Sequence, residues 1–228
     1  MSQIIRMAAP IACLTTVGLG IGLSIPLLTL EMETMGISAQ MIGANTAMPS
    51  LAAILLTPQI PRLAHRFGTS RLILSALFVA AISFSLFLIE LPFWTWFPVR
   101  LVFGAAIYAI FVLSEYWINS TVEDHQRAFV LGIYATILSA GFAGGPVILA
   151  ATGPGTPMPY IAGIAILLIA AIPIMVWKRF APQIEMQENT GPIFRYLRAS
   201  PTSALAAFTF GALETGSFSL LAVYALRY

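Results

Sequence analysis

Seven apolar stretches follow one another along the chain, at roughly 8–30, 41–60, 72–90, 95–116, 128–151, 159–177 and 202–226. A helix needs about 20 apolar residues to cross the hydrocarbon of a bilayer. Inside lipid every backbone N–H and C=O must find a partner within the protein, and runs this long meet that demand as helices. The sequence therefore predicts an all-α integral membrane protein. Composition points the same way: the 228 residues are 59% hydrophobic and 9% charged, against about 25% charged in soluble domains. The first stretch is too long for the apolar core of a signal peptide, and further stretches follow it, so it reads as a retained span.

The placement of the charges matters more than the net charge of +2, which gives no ground for a nucleic-acid partner. With the N-terminus inside, the cytoplasmic segments hold Arg6, Arg62, Arg66, Arg71, Arg127, Lys178, Arg179, Arg195 and Arg198, nine of the eleven basic residues. The outer connections hold Glu31, Glu33 and Glu90 instead. Lys and Arg in short loops stay cytoplasmic, so this asymmetry predicts a cytoplasmic N-terminus. The longest connection is also the most polar. It divides the chain into a six-helix transmembrane bundle (1–178), a cytoplasmic linker (179–201) and a seventh helix (202–228).

Several function classes find no residues to carry them. The lone Cys13 excludes an internal disulfide, and no Cys/His group has metal-ligand spacing, so neither a metal nor another cofactor is expected. His65 and His125 fall in loops, away from where a membrane haem would need them. Lys178, the lysine a retinal would require, is in a loop as well, and so is Asp124, the sole aspartate. An enzyme is not predicted.

Arg100 stands out within an apolar run, Arg100-Leu101-Val102-Phe103-Gly104. A cation at that depth costs a few kcal/mol, about 3 on insertion scales, and is retained where it faces a cavity or a partner. Arg100, Gly104, Tyr108, Phe111 and Glu115 recur at spacings of three and four and share one side of the fourth helix. Arg100 and Glu115 lie about 22 Å apart along that helix, too far to pair. Arg100 reads either as a functional group, which holds a substrate anion or tunes a proton-carrying carboxylate, or as an anchor snorkelling to the outer interface. Glu115 reads either as a latch toward Arg66, Arg71 or Arg127 or as a static ion pair. Glu214, near the middle of the seventh span, is either a proton-exchanging group or a neutral carboxyl bonded to a neighbouring helix. Gly68 permits a tight turn between the second and third helices. Gly18, Gly20 and Gly22 thin the first helix, and Gly141 with Gly145 forms a small-residue pair ahead of Pro146 in the fifth. Such residues let backbones approach closely, and a mid-helix proline bends the helix.

These features together resemble the major facilitator superfamily. Arg100-x-x-x-Gly104 resembles its motif B, and Gly141-x-x-x-Gly145-Pro146 its motif C, the pattern of drug:proton antiporters. Residues 61–71 are similar to motif A, matching at Leu63, Ala64, Arg66 and Gly68. They depart from it at Pro61, which replaces a glycine, and at His65, which replaces the aspartate of a charge relay. The closing glycine pair of motif C is replaced by Leu149-Ala150. Glu115-x-Trp117-Ile118-Asn119, with Arg127 beyond it, is similar to a poorly characterised bacterial branch.

The resemblance implies a six-helix bundle plus one further transmembrane helix of a truncated 12-helix fold, working by alternating access in the bacterial cytoplasmic (inner) membrane. It implies a secondary active transporter of a small molecule, coupled to protons and acting as an exporter. Arg100, Gly104, Tyr108 and Glu214 would belong to the transport cavity, with Arg100 and Glu214 differing in depth by about 8 Å. His65, Arg66, Gly68, Arg71, Glu115 and Arg127 would form the cytoplasmic gate, and Gly141, Gly145 and Pro146 the packing motif. Beside substrate, protons and membrane lipid, a second chain supplying a missing half is an expected partner. The alternative is a non-transporting assembly or regulatory membrane protein, or a non-functional fragment.

Overall fold

The computed structural model describes residues 3–89, 91–184, 200–206, 208–211 and 213, with side chains from Met7 onward apart from those of Asp124 and Arg127. The described residues contain helices and no strand. They divide into two compact units, 1–184 and 185–228. In the second unit, 201–206, 208–211 and 213 are helical.

The first unit holds six apolar spans, Met7–Thr34, Ala39–Phe67, Thr69–Leu88, Phe93–Thr121, Ala128–Thr152 and Met158–Phe180. They are built from eight helices: α1 Gln3–Thr34, α2 Ala39–Thr46, α3 Met48–Leu56, α4 Ile60–Phe67, α5 Thr69–Ser85, α6 Trp96–Thr121, α7 Arg127–Thr152 and α8 Met158–Trp177. The expected seventh span lies largely outside the described residues.

Two boundaries differ from expectation. The second span is not one helix ending near residue 60 before a loop. It is a chain of short helices, α2, α3 and α4, that continues to Phe67. Pro49 and Pro61 each occupy the first turn of a new helix, where no intrahelical N–H is required. The chain then passes from α4 to α5 across Gly68 alone, at φ +86, a conformation that glycine adopts without a Cβ clash. Likewise α1 runs on through Glu31 and Glu33, expected in a connection, to Thr34.

The packing radiates from α1, which lies against α6, α7 and α8, while α5 bridges α6 and α8. The α1–α7 contact is the tightest. A Cβ added at Gly18 would lie 2.6 Å from the Leu138 carbonyl oxygen, and one at Gly141 2.9 Å from that of Thr15. Additions at Gly22 and Gly145 would enter the backbone of Phe142 and of Gly22–Leu23. With no hydrophobic effect between helices in lipid, this close approach supplies the dispersion contact that joins them. Gly20, two residues from Gly22, takes no part: its added Cβ would meet the Ile107 side chain at an ordinary 3.6 Å.

Candidate functional site

Arg100 is 1% exposed, so its guanidinium does not snorkel to an interface. On α6 it shares the buried side with Trp96, Phe103, Gly104, Ile107 and Ile110. One turn further on, Gly104 admits Pro49 of α3: a Cβ there would sit 2.7 Å from the proline Cβ. Tyr108, Phe111 and Glu115 are half-buried. Successive helix positions rotate by about 100°, so Tyr108 and Glu115 stand about 80° and 60° around the axis from Arg100. The expected common face is thus an arc, with Arg100 and Gly104 at its buried edge and Tyr108 and Glu115 nearer the open one.

The surroundings of Arg100 come from helices remote in sequence. Phe84 of α5 stacks on Phe103 at 5.3 Å between ring centroids and tilts against Tyr160 of α8 at 5.4 Å. The Tyr160 hydroxyl donates to the Glu31 carboxylate at the end of α1. Arg100 and Tyr160 are electrostatic neighbours, so Tyr160 stands between the buried cation and the acid. Arg100 Nε and Nη1 have no hydrogen-bond partner, and the same holds for both amide atoms of Asn45, which is fully buried. Asn45 precedes Pro49 by one turn, as Arg100 precedes Gly104, and the second and fourth spans run in the same direction. Both α2, which carries Asn45, and α3, which carries Pro49, pack against α6.

Glu31, Asn45 and Tyr160 were not among the residues expected to act. An amide inside an apolar run was the available signal for Asn45. Glu31 had been assigned to a connection, and a tyrosine at the start of a span is unremarkable by composition. Removing the Tyr160 hydroxyl leaves the Glu31 carboxylate one donor short. Tyr160→Phe is expected to cost about 1–3 kcal/mol of stability. In a Glu31→Gln background the same change is expected to cost clearly less, measured as a double-mutant cycle of unfolding in detergent. Strictly additive effects would show that the bond contributes nothing.

The residues expected at the gate lie around one end of the bundle, called here the basic end. His65 and Arg66 occupy the last turn of α4, and Arg71 the first turns of α5; all three are exposed. Arg66 stacks over Phe67, its Cζ 5.3 Å from the ring centroid. Arg127 begins α7. Glu115 does not form the expected ion pair with Arg66 or Arg71: among the described residues the ion pair present is His125–Glu123, at 3.4 Å. Glu115 has Tyr134 of α7 as its electrostatic neighbour instead, and one turn back Phe111 tilts against the same ring at 6.5 Å between centroids. Asn119 donates to the Glu115 backbone carbonyl at 3.0 Å. Pro146 lies inside α7, one residue beyond Gly145. Glu214, the expected counterpart of Arg100, lies outside the described residues.

A cavity of about 510 Å³ opens at the basic end between α1, α6 and α7. Met7, Ile11, Ile118, Phe129, Ile133 and Tyr134 provide its apolar and aromatic walls, and His125 with Gln126 its polar groups. Its size falls in the range of small-molecule sites, about 300–1,000 Å³, and so does its mix of apolar walls with a few polar groups.

The model of the Major Facilitator Superfamily matches residues 11–228. The chain is also 24% identical, over 220 residues, to an uncharacterised MFS-type transporter, YfkF, of Bacillus subtilis (strain 168). That alignment covers 92% of this chain and 55% of the relative, so the chain spans about half the length of the curated relative it matches. The family model covers nearly the whole chain, and the all-α fold has six apolar spans: the protein belongs to the Major Facilitator Superfamily of membrane transporters.

Proposed function

We propose that this chain provides the N-terminal bundle of a secondary active transporter that moves a small molecule by alternating access, coupled to protons and in the direction of export. The observation that carries this reading is Arg100, a fully buried cation with two donors free and an acid one residue removed through Tyr160. A charge at such depth is costly and is retained for function. Protonation of Glu31 or Glu214 would change the field at Arg100, which is how a proton would bias the transporter between its two conformations. The cavity at the basic end, with Phe129 and Tyr134 in its walls, favours a lipophilic, ring-bearing substrate. The distribution of Lys and Arg supports a cytoplasmic basic end in the bacterial inner membrane. The gate roles of His65, Arg66, Gly68, Arg71, Glu115 and Arg127 belong to the same proposal.

A specific observation also supports the second-chain reading. The faces of α3 and α7 carry exposed apolar side chains, among them Ile54 at 69% and Phe129 at 74%, which suits seating against another bundle.

Proteoliposomes carrying an imposed pH gradient test the reading. Lipophilic fluorescent compounds are expected to move against their own gradient when the proton gradient is present and to stop when it is collapsed. Movement indifferent to the proton gradient would remove the coupling, and no movement for any compound, with or without a co-expressed second chain, would favour the non-transporting class.

A further inference from the structure

The chain that leaves α8 is tied down at the basic end by side chains of two other helices. Ser70 Oγ donates to the Lys178 carbonyl at 3.2 Å, and Thr69 Oγ1 to the Pro182 carbonyl at 2.7 Å. The Tyr116 hydroxyl of α6 donates to the Gln183 carbonyl at 3.3 Å. Trp177, Phe180, Ala181 and Ile184 pack onto the core alongside. Residues 178–184 thus form a strap across the ends of α5 and α6. Its acceptors are backbone carbonyls throughout, so the Lys178 and Arg179 side chains remain exposed.

The strap brings these two cations beside Arg71, the exposed neighbour of Ser70 in the chain. Over a hundred residues separate the two segments, and the Ser70 bond joins them directly. Among the described residues the ion pair present lies elsewhere, at His125–Glu123, and Arg71, Lys178 and Arg179, all exposed, have no acidic partner among them. The N-terminus of α5 adds its partial positive charge at the same place. From Arg71 the exposed side of α5 continues through Phe78 and Ile82, and α8, which packs against α5, carries exposed Ile172 and Met175. A cationic cluster beside exposed apolar side chains of two packed helices matches one class of partner in a membrane, a lipid with an anionic headgroup.

We propose that the strap and the start of α5 form a binding site for an anionic phospholipid. Its phosphate lies among Arg71, Lys178 and Arg179, and an acyl chain runs between the exposed sides of α5 and α8. The site shares Arg71 with the proposed gate, but lipid retention is read without transport, so either reading can fail alone. Positive loop charge by itself would attract anionic lipid diffusely; what marks a built site is that Thr69 and Ser70 spend their hydroxyls on holding the strap in register.

Native mass spectrometry of the purified chain in mild detergent tests this, with phosphatidylglycerol and phosphatidylcholine offered in equal amounts. Wild type is expected to retain one phosphatidylglycerol in preference to phosphatidylcholine, and inorganic phosphate is expected not to displace it. Arg71→Gln/Lys178→Gln/Arg179→Gln is expected to weaken retention about tenfold or more, whereas Arg62→Gln/Arg66→Gln at the same end leaves it unchanged. Thr69→Val/Ser70→Ala keeps every charge and is expected to lose the preference as well. Equal retention of the two lipids by wild type overturns the proposal, as does an equal loss in both charge variants, or displacement by phosphate alone.

Discussion

Gly145→Ala and Gly22→Ala are expected to abolish the folded bundle, whereas Gly20→Ala and Gly132→Ala are expected to leave it intact. A methyl group at either of the first two positions enters the backbone of the opposite helix, where no side chain can swing aside. Overpacking against side chains costs about 1–3 kcal/mol. Against backbone on both sides the helices must separate, and the contact that joins α1 to α7 is lost along its length. At Gly132, on the same helix as Gly145, an added Cβ meets nothing within 4 Å. There the substitution gains up to about 1 kcal/mol from helix propensity. Thermal unfolding in detergent and the yield of monodisperse protein separate the two pairs. A stable Gly145→Ala variant would mean that α1 and α7 do not approach as closely as described.

Arg100→Met is expected to raise stability while abolishing proton-coupled transport. Methionine follows much of the arginine stem and removes a buried cation with two unsatisfied donors. Replacing buried charge with well-packed apolar groups is commonly neutral or stabilising, by about 1–4 kcal/mol. If Arg100 serves structure, the same variant loses stability and keeps coupled transport in proportion to the protein that folds. Lysine separates charge from geometry. Arg100→Lys keeps the charge but offers a compact ammonium in place of a planar fork, so a deficit shared by Lys and Met assigns the role to the guanidinium. Asn45→Leu tests whether the buried amide of α2, which packs on α6, belongs to the unit: its effect is expected to be non-additive with Arg100→Met.

The helical membrane class was legible because it follows from hydropathy summed over about 20 residues, and such sums tolerate local error. Arg100 was legible for a related reason, since a charge in hydrocarbon is anomalous wherever the chain goes next. Helix ends were less so. Pro61 closes a helix or opens one with equal ease, and the choice depends on whether the next turn is held by its neighbours, which a single segment does not encode. Glu115 shows the limit for pairing. Its opposite charges at Arg66 and Arg71 lie at the same end of the bundle, yet its electrostatic neighbour in the fold is Tyr134.

What this chain's sequence determined by itself is the number and kind of its apolar spans in the described bundle, the side on which its basic residues gather, and the singular status of Arg100. Each is a property of one segment in lipid. Tertiary structure decided the rest: that Gly22 meets the backbone of the opposite helix while Gly20 does not, that Tyr160 bonds Glu31 and neighbours Arg100, and that Ser70 ties the Lys178–Arg179 strap to the start of α5. These are meetings between residues as many as 129 positions apart. Helix periodicity records which residues share a side, but the rotation and depth of each helix are set by the neighbours it packs against, and no single segment carries that information.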